Sequence, residues 1–421
     1  MKNILINPNL KQIKESATLN INIKIKAKRK KGEKVSHFGF GESPFPVPEL
    51  IVNELKSHAD KSSYLPGEGL HELKHAIINY YKLKFNYNFN DDDVFVAPGS
   101  KESIFHLLKL LQGPLLLPSP SWVSYEPQAT ILGKDVIKIP TSFENNYFLN
   151  AKQLEFICSE YEKTQQKILL LNSPNNPTGL VYPQVIFDEL AKVCKENNII
   201  VISDEIYAGV NFSKGAHSSM VYSYPQGTIV TSGLSKYFSA GGYRVGFCMI
   251  PDNMQPLKKA LNALISETYS CVSEPMQRAA IKAYSEIDYI LPELEINNQI
   301  HKISGEYLHQ RFTSIGLKCH KPQGAFYCFP SFEPFKDVLA KQNIYDDITL
   351  CEKILENANV AMLPGSEFGV QATDLCTRVA TVDYDGKAAQ QFQGNKDLLI
   401  KTVMRNLVAG CDSLEKYLNG L

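Results

Sequence analysis

A lysine set between an apolar run and a loop of small residues is placed for covalent chemistry, and this chain has one with an arginine close behind it. In SGLSKYFSAGGYRVGF (232–247), Lys236 follows the apolar TIV (228–230), and Arg244 stands eight residues further on, ahead of the apolar VGF. An amine so placed can form a Schiff base with a carbonyl compound, and a guanidinium can grip a phosphate with two parallel hydrogen bonds. By itself such a pair is weak evidence, since most loop lysines are simply solvated. Other residues suited to the same chemistry lie upstream. Asp204 and Glu205 close the apolar run IIVIS, Asn176 sits in the loop SPNNPTG, and the only tryptophan, Trp122, follows LLLPSPS as either core or a stacking platform. Ser100 and Lys101 belong to APGSK, a glycine loop opening a helix, where free backbone N–H groups can hold an anion. That loop matches neither a Walker sequence nor GxGxxG.

The elements that must position these residues are apolar strands alternating with amphipathic helices. Strands are predicted at 94–97, 115–118, 136–140, 167–172 and 199–203, with TIV and VGF as parts of two more. Helices between them carry Leu70, Leu73 and Ile77, then Ile104, Leu107 and Leu111, then Ile186, Leu190 and Val193, each set on one face. This alternation predicts an α/β fold with a largely parallel sheet covered on both faces. Ligands of such sheets lie beyond the C-terminal ends of the strands. Ser100, Trp122, Asn176, Asp204 and Lys236 all fall there, which is a stronger argument than any single motif. Ahead of this region, residues 1–36 read as an arm and a helix capped by Ser16 or Thr18, and HFGFGESPFPVPELIVNELK (37–56) as an irregular loop before a helix from about Pro48. After residue 280 the pattern changes to an α+β domain. One helical stretch is expected through 284–314, a strand or hairpin edge in 321–332, a helix near 347–358, and Arg378 in TRVATVDYDG. The expected division is an arm and part of a small domain (1–48), a large domain (49–285), and an interdomain helix with the small domain (286–421).

Length and composition bound the answer further. A chain of 421 residues can bury a large core, and 44% hydrophobic with 21% charged residues is ordinary for a globular protein. Lys and Arg number 44, as do Asp and Glu, so no net field argues for nucleic acid or an anionic membrane. The basic run KIKAKRKKGEK (24–34) reads as a solvated helix face. Nine cysteines without CxxC spacing suggest neither a metal site nor a disulfide framework, and the odd count fits a reducing compartment. With no leader pattern and no apolar run near ~18 residues, a cytoplasmic location is expected.

Through SPNNPTG, SDEIY and SGLSKYFSAGGYRVGF, in that order and spacing, the chain resembles the class I aminotransferases. These are pyridoxal-phosphate enzymes of fold type I, and the likeness is to their bacterial aspartate and aromatic subgroup. The resemblance runs from ESATLNIN (15–22) to the last helix. It implies a large domain with a mostly parallel seven-stranded sheet, a smaller α+β domain, and pyridoxal 5'-phosphate as cofactor. It implies that Lys236 carries the cofactor and later moves the Cα proton, that Asp204 pairs with the ring nitrogen, and that Asn176 and Tyr207 bond the ring's phenolic oxygen. Ser100, Lys101, Ser235 and Arg244 would hold the phosphate, and Trp122 would stack on the ring. Tyr64 would reach the phosphate of a neighbouring subunit, making a homodimer. Arg378 would clamp the substrate α-carboxylate, with the Gly41 N–H close to it. Glu205 is left as a structural neighbour. Two departures stand out. Gly233 lies where many relatives carry a phosphate-binding serine, with Ser232 as a candidate replacement, and the first loop reads GESPF where GEPDF is common.

The activity implied is transfer of an amino group from an L-amino acid to a 2-oxo acid, 2-oxoglutarate being the expected acceptor, in a ping-pong cycle. Elimination at a C–S bond on the same cofactor is the alternative, since proton abstraction is common to both. An effector-binding module of a transcription regulator is disfavoured, because about forty residues before the first loop are too few for a winged helix. The donor's side chain stays open, as no second arginine marks a dicarboxylate site.

Overall fold

The apolar runs form the large sheet. The computed structural model describes residues 5–10, 17–213, 215 and 217–421. Seven strands build the sheet: β1 (Val94–Ala97), β2 (Leu115–Ser119), β3 (Val136–Pro140), β4 (Lys167–Asn172), β5 (Ile199–Asp204), β6 (Thr228–Gly233) and β7 (Gly246–Met249). Their spatial order is β1-β7-β6-β5-β4-β2-β3. Neighbours are parallel throughout, except that β7 runs antiparallel to both β1 and β6. β1, β2, β4, β6 and β7 are buried along their whole length, as strands covered on both faces must be. All seven apolar segments expected as strands are strands.

Helices Ser100–Leu110, Tyr125–Ile131 and Gln184–Glu196 follow β1, β2 and β4. Two helix faces differ slightly from expectation. Gln184–Glu196 buries Phe187, Leu190, Ala191, Val193 and Cys194, leaving Ile186 half-buried. Leu111 is buried one residue beyond the end of its helix. The long helix expected through 284–314 runs over Ile287–Ile315, and residues 284 and 285 close a separate helix before it. Glu274–Ser285 and Ile287–Ile315 are separated at Glu286. The first packs Ala279, Ala280, Ala283 and Tyr284 into the core of the large sheet. The second carries Ile290 and Leu294 into that same core and Ile300, Leu308 and Phe312 into a different one. The N-terminal helix is described over Ala17–Lys30, its Ile25 buried beside Val35 and Ala361. The expected cap residue Ser16, and the side chain of Thr18, lie outside the described residues.

The second core joins the two ends of the chain. Phe38 and Phe45 pack with Leu308, Phe312, Leu350, Leu407 and Leu414. A three-stranded antiparallel sheet places Thr377–Ala380 between Leu363–Pro364 and Tyr327–Cys328, and Ser36–His37 pairs in parallel with Val360–Ala361. The 321–332 segment is thus a sheet edge of two residues. Among the described residues no helix is long and apolar enough to cross a membrane, and no cluster suits a metal ion. All nine cysteines are free.

Candidate active site

The C-terminal ends of the parallel strands open on a cavity of about 400 Å³. The sheet side contributes Ser100, Lys101, Trp122, Asn176, Asp204, Tyr207, Ser235, Lys236 and Arg244; Gly41 enters from the N-terminal loop and Arg378 from the small sheet. Those are eleven of the twelve residues singled out in the sequence. The twelfth, Tyr64, is 91% exposed and stands outside its own chain's cavity.

Asp204 ends β5 fully buried, and three donors fix its carboxylate. The Tyr125 hydroxyl donates to Oδ2 at 2.6 Å, while the Thr231 hydroxyl and the Ile206 N–H reach Oδ1, each at 3.3 Å. Burial pushes the carboxyl up to about 6, against the pull of these donors. Lys236 Nζ donates to the Gly41 carbonyl at 3.1 Å and lies 5.6 Å from the ring centres of Tyr207 and Phe326. The Tyr207 and Tyr327 hydroxyls are 2.8 Å apart, and burial followed by that neighbour raises the Tyr207 phenol well above its ordinary value.

Small residues let the cationic end of the cavity form. Gly99, at φ +93°, precedes the helix whose first residues are Ser100 and Lys101, and a Cβ there would lie 2.4 Å from Arg244 Nη2. A Cβ on Gly246 would lie 2.2 Å from the Ser100 nitrogen. Helix N-terminus, Arg244 and the start of β7 are therefore drawn together. Arg244 itself is fixed by donation to the carbonyls of Gly241 (2.9 Å) and Pro98 (3.1 Å). Burial, then Arg244 and Lys236, lowers the Lys101 amine, whose nitrogen sits 4.8 Å from the centre of the Trp122 ring.

The opposite wall holds Arg378, 2% exposed, with its guanidinium carbon 4.8 Å from the Tyr327 ring centre and one nitrogen bonded to the Gly39 carbonyl. Its Nε is buried without a partner, and so is Asn176 Oδ1. Among the described residues, no salt bridge occupies Lys101, Lys236, Arg244 or Arg378. Four cations, two orphaned polar atoms and one buried carboxyl around one cavity fit a ligand with a phosphate, a ring nitrogen and an aldehyde, together with a carboxylate substrate.

One candidate, Ser232, lies away from the cavity, and two residues of the site, Tyr125 and Tyr327, were missed. Ser232 does not line the cavity, since its hydroxyl donates to the Glu205 carbonyl at 3.4 Å. A side chain at Gly233 would meet the Val245 carbonyl at 2.6 Å. Glu205 also lies outside, accepting from Tyr87 and Ser219 (2.6 Å each), Ser203 (2.9 Å) and His217 (3.3 Å). Burial alone would raise its carboxyl, but His217 and the hydroxyls bring it below its ordinary value. Sequence reasoning missed Tyr125 and Tyr327. The one signal for Tyr125 was its place three residues after Trp122 at a helix start; for Tyr327 there was none beyond an aromatic in an edge strand.

Sheet order, the antiparallel β7 and the placement of the lysine loop define a fold type I transferase of the pyridoxal-phosphate class. The chain belongs to the aminotransferase class I and II family, whose model matches residues 33–385. It is 31% identical over 374 residues to an aspartate aminotransferase of Thermotoga maritima, covering 86% of this chain and 92% of that protein. It is 30% identical over 393 residues to a bifunctional aspartate and glutamate/aspartate-prephenate aminotransferase of Petunia hybrida, covering 90% and 79%. A solved aspartate aminotransferase structure from Thermotoga maritima superposes with a TM-score of 0.82 at 28% identity, over 98% of this chain and all of that one. The Thermus thermophilus enzyme with maleate shares the fold, with a TM-score of 0.84 at 24% identity over 98% and 99%.

Proposed function

We propose that this protein is a pyridoxal-phosphate-dependent aminotransferase that moves the amino group of an L-amino acid to a 2-oxo acid, 2-oxoglutarate serving as acceptor, in two half-reactions. One observation carries this: a single cavity joins a buried Arg378 whose Nε has no partner, suited to an α-carboxylate, to Lys236 and to a carboxyl, Asp204, at a strand end. Bound pyridoxal 5'-phosphate supplies a protonated ring that accepts the electron pair left when the substrate's α-proton departs.

The chain's own groups do the rest. Arg244, Ser235 and the N–H groups of Ser100 and Lys101 hold the phosphate at the helix N-terminus. Asp204, fixed by Tyr125 and Thr231, would keep the ring nitrogen protonated, and Trp122 would stack on the ring. Asn176 and Tyr207 bond the phenolic oxygen. Arg378 orients the substrate by its carboxylate so that the α-proton faces Lys236, whose amine takes the proton and returns it at the end of the transfer. Tyr64 reaches the phosphate of a partner subunit in a homodimer.

The test is the absorbance spectrum of the protein loaded with pyridoxal phosphate. A band at the visible edge should be absent in Lys236→Ala, be lost on adding an amino acid, and return with 2-oxoglutarate. A protein that never takes up the cofactor would overturn the assignment. Accumulation of pyruvate or ammonia without any need for an oxo acid would replace it with C–S elimination.

A further inference from the structure

Residues 39–45, which hold the departing motif GESPF, form a strap that borders the cavity through Phe40, Gly41 and Glu42, and its contacts alternate along the chain. The Gly39 carbonyl accepts from Arg378, the Gly41 carbonyl from Lys236 at 3.1 Å, and the Ser43 hydroxyl meets the Ser239 hydroxyl at 2.7 Å. Upstream, the strap starts from fixed backbone, where the Phe38 N–H donates to Ala361 and the Phe38 carbonyl accepts from Ala380. Downstream, Phe45 is buried in the second core.

These three tethers differ in one respect. On the function proposed above, Arg378 turns to the substrate carboxylate and the Lys236 amine is engaged by the cofactor, so both contacts are ones that ligands compete for. Ser43 and Ser239 touch neither ligand, and neither residue lines the cavity. Ser239 lies three residues past Lys236, holds φ +57°, and donates its N–H to the Lys236 carbonyl at 3.3 Å. A left-handed backbone at a non-glycine residue persists only where its surroundings hold it. A proline at position 43, as in GEPDF, has no hydroxyl for this contact.

We infer that the Ser43–Ser239 hydrogen bond is the ligand-independent tether of this strap, a positioning device that keeps Gly41 against the substrate side of the cavity while cofactor and substrate occupy Lys236 and Arg378. The inference rests on the proposed function for the ligands' identity, but the contact itself belongs to the protein alone.

The chain's single tryptophan makes the test possible, because Trp122 lines the cavity that the strap borders. In the cofactor-free protein, acrylamide quenching of Trp122 should rise in Ser43→Ala and in Ser239→Gly. The glycine variant removes the hydroxyl while accepting the left-handed backbone. Ser43→Thr, which keeps a hydroxyl, should stay close to the parent. In the loaded enzyme Ser43→Ala and Ser239→Gly should each raise KM for the amino acid about three- to ten-fold, the range one such hydrogen bond spans. Cofactor affinity and kcat should change less than about two-fold, and the double variant should be no worse than either single one. Unchanged quenching in both variants, or effects on KM that add, would overturn the tether. A parent protein that transfers no amino group, with quenching raised in the variants as expected, would count against the aminotransferase assignment and leave the tether standing.

Discussion

Asp204 carries opposite demands, and the conflict is measurable. In the cofactor-free protein its carboxyl is buried and pushed up to about 6 from an ordinary 3.8. Between those two values the folded protein holds a proton that the unfolded chain has released, so stability falls as pH rises through that window and the loss is complete above about 6. At ~1.4 kcal/mol per pH unit the cost is on the order of 3 kcal/mol. Asp204→Asn keeps an acceptor for Tyr125 and removes the charge. Its cofactor-free form should therefore melt higher than the parent at pH 8 and about equally at pH 4. On the proposed function the same substitution would remove the partner of the ring nitrogen and should lower turnover by a hundred-fold or more, roughly the scale of losing a positioned charge at a reacting centre. Thermal melts at both pH values check the first half. A lower melting temperature for the variant at pH 8 would contradict the burial argument.

At the scale of elements, the phosphate end of the cavity depends on how closely β7 passes the start of the helix Ser100–Leu110. Gly246→Ala would place a Cβ 2.2 Å from the Ser100 nitrogen and 2.4 Å from the Gly99 carbonyl carbon, both backbone atoms that no side-chain rotation can clear. A loss of about 1–3 kcal/mol in stability is expected, with weaker binding of the cofactor as the helix N-terminus is displaced. Gly242→Ala, in the same sequence stretch, meets nothing within 4 Å and should stay within about 0.5 kcal/mol of the parent. Denaturant unfolding and cofactor titration of the two variants make the comparison. This contrast also marks how far the sequence could be read. The strands were legible because buried parallel strands must be apolar runs, and Ser100, Asp204 and Lys236 were legible because they follow those runs. Gly246 and Gly242 look alike on paper, and only packing separates them. Tyr125 and Tyr327 were hidden for the same reason, as each acts through a contact with a residue far away in the chain, Asp204 and Tyr207. Break points between helices were hidden too. Nothing local to Glu286 shows that one helix ends before it and another begins after it.

At the scale of the whole molecule, one exposed tyrosine separates a monomer from an assembly. Tyr64 is 91% exposed, against 76% for Tyr289 and 60% for Tyr345, so its position is not explained by packing within the chain. The proposed dimer gives it a place at the partner's phosphate, and this has a consequence that no single chain can mimic. A Lys236→Ala chain lacks the reacting amine but still offers Tyr64; a Tyr64→Ala chain lacks the tyrosine but still offers Lys236. Each homodimer should be impaired at both of its sites, the first inactive and the second short of cofactor affinity. In a mixed dimer one site combines both losses, and the other is intact, with Lys236 from one chain and Tyr64 from its partner. Random pairing on co-expression should thus restore about one site in four to full cofactor affinity and turnover. Sedimentation of the parent should give twice the chain mass of 47.2 kDa. Turnover of the mixture no higher than the average of the two homodimers would mean that Tyr64 does not cross between subunits, and each cavity would then have to bind phosphate with Ser100, Lys101, Ser235 and Arg244 of its own chain.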